Sequence, residues 1–311
     1  MLKIAYVGLR WNYAKREEGN SFEYDHLEQG LKDCVNDGMF QAEYFHPDEP
    51  EELEKLRYSI NNFDGVIHAE FDATHDLPDD IAKLFLLQDK FCVVWSSDSS
   101  WRFDDWILPR KYKYSHFITT HNLTIPFYEQ NKMKVIKSQW FVNSLYGPRN
   151  IEEQYDVVFL GQKYGQREQI MNFLIQNGVN LAVAGNYWEN CSYWKGYITN
   201  FEQSLDFMSS GKININLSMP FHGGIPQLKA RFVQIPGLQK LQIMTPADNI
   251  EEYFVPDQEI VIVKNTNELL EKIRFYLQND NERLKIANAG YQRIIKEHTA
   301  QHRFKEILFQ L

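Results

Sequence analysis

At residues 3–8 and again at residues 155–161, an apolar run of strand length ends on a glycine and passes through a polar loop into a helix-like segment. A chain that makes this opening twice is committed to strand-loop-helix units, which join as parallel strands with helices laid over the sheet. The first half continues the alternation. Strand-like runs at 41–45, 65–68, 90–95 and 117–120 are separated by helical periodicity at 22–34, 51–60 and 80–88. The second half has runs at 179–184, 212–217, 241–244 and 259–263. Its first helix, 167–177, puts Ile170, Phe173 and Leu174 on one face and closes at Gly178. Asn265, with Glu268 three residues on, caps a helix bearing Leu269, Ile273 and Leu277, and a final helical stretch covers 281–311. Gly147-Pro-Arg-Asn150 reads as a linker. The expectation is an α/β protein of two Rossmann-like domains, 1–148 and 149–295, with a cleft between them and a C-terminal helix, 296–311, packing back toward the N-terminal domain.

Composition narrows the function classes. At 311 residues the chain suits two domains of ordinary size, and 43% apolar with 24% charged residues excludes a disordered or fibrous protein. A net charge of −9 disfavours a surface that attracts nucleic acid or anionic lipid as a whole. The longest apolar runs are four or five residues, far below the roughly 20 that cross a bilayer. The first strand also lacks the cleavage site of a secretion signal, so a cytoplasmic location is expected. Cys34, Cys92 and Cys191 form no CxxC pair, which supports neither a disulfide framework nor a zinc site. His298 and His302 share a helix face without a third ligand, so no metal is expected.

Three segments carry charge or geometry suited to chemistry. The loop Gly161-Gln-Lys-Tyr-Gly165, leading to Arg167 at a helix start, offers unpaired N–H groups, close backbone approach and a bidentate donor to a phosphate. As a bare pattern it is also a common tight turn; the N-terminal counterpart lacks GxGxxG, which argues against a dinucleotide enzyme. Lys229 and Arg231, if on a strand, face the same side and converge on one anion, or else form a solvated basic edge. Asp98 follows the strand at 90–95, at the carboxyl end where such sheets place their chemistry; it is a general base for a hydroxyl or a helix cap. Trp95, Trp101 and Trp106 fit core packing better than an aromatic box. Between Trp106 and Trp140, Arg110, Lys111, Lys113, Lys132, Lys134 and Lys137 meet one acid, Glu129, a net +5 that faces an anionic acceptor or plain solvent.

These residues resemble the CgeB-type, or spore-maturation-type, glycosyltransferases of the GT-B fold. The similarity is carried by Tyr155-Asp-Val-Val-Phe-Leu-Gly-Gln-Lys-Tyr-Gly-Gln-Arg167, Lys212-Ile-Asn-Ile-Asn-Leu-Ser218, Gln227-Leu-Lys-Ala-Arg231, Asn249-Ile-Glu-Glu-Tyr-Phe254, Glu259-Ile-Val-Ile-Val263 and Glu297-His-Thr-Ala-Gln-His-Arg303. Ser21-Phe-Glu23 and Trp101-Arg-Phe-Asp104 are more loosely similar. The family pattern Arg-x-x-Glu, Ile-Pro and a glycine-rich turn is altered here: Arg231 stays, Gln234 stands for the Glu that grips the donor ribose, and Gln239 and Lys240 replace the glycines. A weaker resemblance to phage DNA β-glucosyltransferases rests on Gly165-Gln-Arg-Glu168, Gly185-Asn186 and Asp98.

The resemblance implies transfer of a sugar from a nucleotide-diphosphate donor, expected to be UDP-linked, with no resident cofactor. The donor side comprises Gly161, Gln162, Tyr164, Gly165, Arg167, Gly185, Asn186, Trp188, Lys229, Arg231 and Gln234. The acceptor side comprises Glu23, Trp101, Arg102, Asp104, Arg110, Lys111 and Lys113, with Asp98 as catalytic base. The acceptor is a hydroxyl on a glycan or small molecule. The alternatives are a phage-type enzyme acting on hydroxymethylated DNA bases and, because of Gln234, a GT-B protein that binds donor with reduced catalysis.

Overall fold

Strand-length apolar runs form wherever the alternation placed them, and all of their pairings are parallel. The computed structural model describes residues 1–70, 75–96, 98–198, 200–219 and 226–311. The chain divides into two units, one of Met1–Ser144 with Thr299–Leu311 and one of Leu145–His298.

The first unit is built on a six-stranded sheet. Its strands are β1 (Lys3–Val7), β2 (Gln41–Phe45), β3 (Gly65–Ala69), β4 (Phe91–Ser96), β5 (His116–Thr119) and β6 (Val135–Lys137), in the order β2-β1-β3-β4-β5-β6. Helices cover both faces, so the central strands carry side chains that are apolar on both: Ala5, Val66, Cys92 and Val94 on one face and Ile4, Ile67 and Val93 on the other are buried. Sequence reading missed β6. It is three residues long and flanked by Lys134 and Lys137, charges that suit a sheet edge and hide the strand's apolar pattern. The helical stretch expected over 281–311 is two helices, Asp280–Glu297 and Ala300–Leu308, because the chain crosses from one unit to the other at Thr299. The second of these packs in the first unit, where Phe304 meets the rings of Phe40, Trp95 and Phe141.

The second unit has a five-stranded sheet of β7 (Tyr155–Leu160), β8 (Leu181–Ala184), β9 (Gly211–Asn216), β10 (Leu241–Met244) and β11 (Val261–Ile262), ordered β11-β10-β9-β7-β8. Its core joins Val157, Phe159, Val183, Ile213 and Ile243 to Met171 and Leu174 of the helix Arg167–Gln176 and Ile273 of the helix Thr266–Gln278. The Asn265 cap forms: its side chain accepts the N–H of Glu268 at 3.0 Å, and Glu268 in turn accepts the N–H of Lys264 at 2.8 Å.

A polar clamp ties together the elements around β2. His46, buried just after the strand, sits 2.9 Å from Glu28 Oε2 through Nε2 and 2.7 Å from Glu52 Oε2 through Nδ1. Burial lowers the imidazole's pKa, but hydrogen bonds and charge from Glu28, then Glu52, outweigh it and leave the value raised above 6.5. The protonated ring therefore contributes stability in full below its unfolded value, and that contribution is lost as pH rises through the higher folded value. In His46→Gln the clamp's share of this pH dependence disappears and the unfolding free energy at pH 6 falls by roughly 2 kcal/mol. Thermal melts of both proteins from pH 5 to 9 check this, and an unchanged pH profile refutes it.

Candidate functional site

In a parallel α/β sheet, ligands gather outside the carboxyl ends of the strands, and both units concentrate their unusual polar groups there.

In the second unit, two loops meet at that edge. After β7 the chain turns at Gly161 (φ +155°), and after β8 at Gly185 (φ +125°). A Cβ on Gly185 would come within 2.6 Å of the Gly161 carbonyl oxygen, so only glycine fits. The loops are joined by Gly161 N–H to Ala184 O (2.9 Å) and Lys163 N–H to Asn186 O (3.0 Å). Trp188, expected to line the nucleotide pocket, is fully buried, and its indole N–H donates to Gly161 O at 2.7 Å. Its ring fastens the turn from beneath, and the exposed aromatic of this loop is Tyr187.

Arg167 lies under the first loop with 1% of its surface exposed. Its Nη1 donates to Gln162 O (2.8 Å), and its Nη2 donates to the Tyr164 hydroxyl (2.6 Å) and to Leu217 O (3.2 Å). Its guanidinium is centred 3.7 Å from the Tyr164 ring, and no carboxylate is among its partners. Burial, and then the nearby Arg231, bring its pKa down to about 9. Arg231 has no hydrogen bond or ion pair among the described residues, and its Nε is buried without a partner. Burial lowers its pKa as well. Two neighbouring guanidinium groups without a counter-charge make a site prepared for an anion.

The strand expected through Lys229 and Arg231 is absent. Residues 227–229 are a loop, and Arg231 opens the helix Arg231–Gly237, which places Arg231 and Gln234, three residues apart, on one helix face. Lys229 is half-buried ahead of that helix. Gln234 is 6% exposed, and its Nε2 donates to the Tyr146 hydroxyl at 2.8 Å. Gln239, where the resembled family has glycine, holds a left-handed φ of +57°.

In the first unit, Asp98 stands at the N-cap position of the short helix Ser99–Arg102, yet its side chain makes no cap bond. It is half-buried, and its carboxylate has no hydrogen bond or ion pair among the described residues. Glu23 is close enough to feel it: burial, with a smaller contribution from Asp98, raises Glu23 to about 7. The sequence reading missed Glu70, which follows β3 as Asp98 follows β4 and was legible by that parallel. Glu70 is 6% exposed; Oε1 takes Arg102 Nη1 at 3.3 Å, and Oε2 is buried without a hydrogen bond. Burial dominates over the attraction of Arg102 and, with Asp98 adding repulsion, raises its pKa to about 8.

The remaining acceptor-side candidates separate. Trp101 is 40% exposed, with Arg102 5.7 Å from its ring, and Asp104 is exposed. Arg110 and Lys113 do not offer free charge: Arg110 Nε bonds Asp76 Oδ2 at 3.0 Å, and Lys113, 4% exposed, reaches Asp76 at 2.7 Å and Asp79 at 2.9 Å. Lys111 is exposed. Asp76 and Asp79, more than thirty residues upstream, thus offset two of the five net charges of this segment. Among the described residues no helix is long and apolar enough to cross a membrane.

Comparison with known proteins agrees with this topology. Residues 166–309 match a family model described as glycosyl transferase-like. No curated protein sequence matches the chain significantly. Solved structures that resemble it over its whole length include HepE of Anabaena in complex with UDP and glucose, at TM-score 0.67 and 10% identity, covering 100% of both chains. Sucrose-phosphate synthase of Thermosynechococcus elongatus superposes at TM-score 0.64 and 10% identity, covering 100% of this chain and 99% of that one. A glycosyltransferase of Rickettsia africae follows at 0.60 and 10%, covering 99% and 97%. The fold is GT-B, two Rossmann-like units each on a parallel sheet.

Glu70 gives the site a measurable signature. Its raised pKa means that the folded state holds a proton the unfolded chain releases, so Glu70 lowers stability as pH climbs from about 4.5 to about 8. Glu70→Gln, neutral at every pH, melts close to the parent at pH 5 and above it at pH 8. Equal melting differences at the two values would contradict the assignment.

Proposed function

We propose that the protein is a glycosyltransferase that moves a hexosyl group from a nucleoside-diphosphate donor, UDP-linked, to a hydroxyl acceptor. The single observation that carries this reading is the Arg167–Arg231 pair: two neighbouring cations, Arg167 buried and Arg231 half-buried with its Nε enclosed, with no carboxylate partner among the described residues, at the loop edge of the second unit. Departure of a nucleoside diphosphate builds negative charge on its phosphates, and fixed guanidinium groups in a dry site stabilise that charge as it forms. The glycosyl transferase-like match over 166–309 covers these residues, and HepE, which shares the fold, was solved with UDP-glucose. The motifs around Gly161, Arg231 and Phe254 support reading the chain as a CgeB-type enzyme.

Asp98 supplies the base. Its position at the carboxyl end of β4, its unused cap and its partner-free carboxylate leave it able to take a proton from an incoming hydroxyl. Glu70, raised to about 8, stays mostly protonated near neutral pH, and Glu23, raised to about 7, is only partly charged there. The exposed Trp101 ring beside Arg102 offers a sugar a flat apolar face and a donor, and with Arg110 and Lys113 already paired, the acceptor is a glycan or small molecule rather than DNA.

Two substitutions separate binding from chemistry. Arg231→Met weakens UDP binding by about 10- to 100-fold, the worth of one charge-assisted bond, while its melting temperature holds or rises because a half-buried charge without a counter-charge among the described residues has gone. Titration calorimetry with UDP and a thermal melt read both. Asp98→Asn binds UDP like the parent but loses about 10²- to 10⁴-fold in kcat; full turnover in that variant would sink the base assignment.

A further inference from the structure

Gln234 is an unusual binding group, because a flexible amide has replaced the carboxylate of the resembled pattern and a second residue now decides how it points. Its side chain is buried on the helix Arg231–Gly237, one turn from the partnerless Arg231. Only one of its polar atoms has a protein partner: Nε2 donates to the Tyr146 hydroxyl at 2.8 Å, and Oε1 makes no hydrogen bond among the described residues. Tyr146 is itself held firmly. Its ring meets Phe201 edge-on at 5.4 Å and packs on the apolar cluster of Leu205, Met208, Ile235 and Leu238. The bond from one of its two N–H groups holds the amide in place, and Oε1, which has no hydrogen bond among the described residues, is left to accept one from a ligand.

We propose that Tyr146 is a positioning residue that fixes the Gln234 amide with its carbonyl presented to a hydroxyl-bearing part of the donor, the ribose, and so makes binding selective for a ribonucleotide. The inference rests on the donor reading above and extends it: Tyr146 restores, through an amide, the acceptor that a glutamate supplies directly. An acceptor one helical turn from a phosphate-binding arginine suits a nucleotide, in which the sugar hydroxyls lie next to the phosphates.

The test is titration calorimetry with UDP, 2′-deoxy-UDP and 3′-deoxy-UDP against the full chain. The unsubstituted protein should prefer UDP over at least one deoxy analogue by roughly fivefold, the worth of one neutral hydrogen bond. Tyr146→Phe, which keeps the ring packing, should bring that ratio to about one by weakening UDP alone. Gln234→Leu should do the same, and the double variant no more than either, because the two residues act through one bond. A ratio that survives Tyr146→Phe, or a loss shared equally by UDP and both analogues, overturns the proposal. Gln234→Glu provides a check that leaves residue 146 intact. One carboxylate oxygen accepts the Tyr146 hydroxyl and the other remains for the ribose, so the ratio should hold or grow, and a ratio of one there also overturns it. If the unsubstituted protein takes no UDP, the donor reading fails; if it takes UDP without preferring it over either analogue, only the Tyr146 assignment fails.

Discussion

The Gly161 carbonyl and the Cα of Gly185 stand so close that no side chain fits between them, and the ligand-facing edge of the second unit depends on that approach. It allows the loops after β7 and β8 to share backbone hydrogen bonds, and it gives Trp188 a carbonyl to hold from below. With the first loop pinned, Gln162 O and the Tyr164 hydroxyl are in place to take the Arg167 guanidinium. An arginine with 1% of its surface exposed and only neutral acceptors around it is costly, and a bound anion offsets that cost. The unit stores unfavourable electrostatics at one edge, as binding sites commonly do.

The first unit shows the opposite sign at the same topological place. Glu23, Glu70 and Asp98 come from segments following β1, β3 and β4, and burial raises the first two well above the ordinary carboxylate range. One unit therefore carries unpaired cations beyond its strand ends, and the other carries acids of which Asp98 is the one left without partners.

Much of the fold was legible because its signals are local. The strand runs, the Asn265 cap and the break near Gly147 are each set by neighbours a few residues away. What escaped is long-range or marginal. The three-residue β6 has too few apolar positions to outweigh its lysines. Arg110 and Lys113 looked like a free basic patch because the acid that neutralises both, Asp76, lies 34 and 37 residues away in sequence. Trp188 was read as a pocket wall when its neighbour Tyr187 is the exposed ring, since sequence does not say which of two adjacent aromatics turns inward. Lys229 and Arg231 would share a face only if on a strand, and the structure instead starts a helix at Arg231, which the two-residue spacing of these cations does not reveal.

The chain leaves the first unit at Ser144 and returns at Thr299, so the second unit is inserted within the first. On a ribosome the host has all six of its strands before the inserted unit begins, but it lacks its last helix until the whole insertion has been made. Residues 1–144 must wait, lacking Phe304 and Ile307, which fill their core from beyond the insertion. For that interval the rings of Phe40 and Phe141 lack the cover of Phe304, and the half-built host is the species most exposed to aggregation during synthesis.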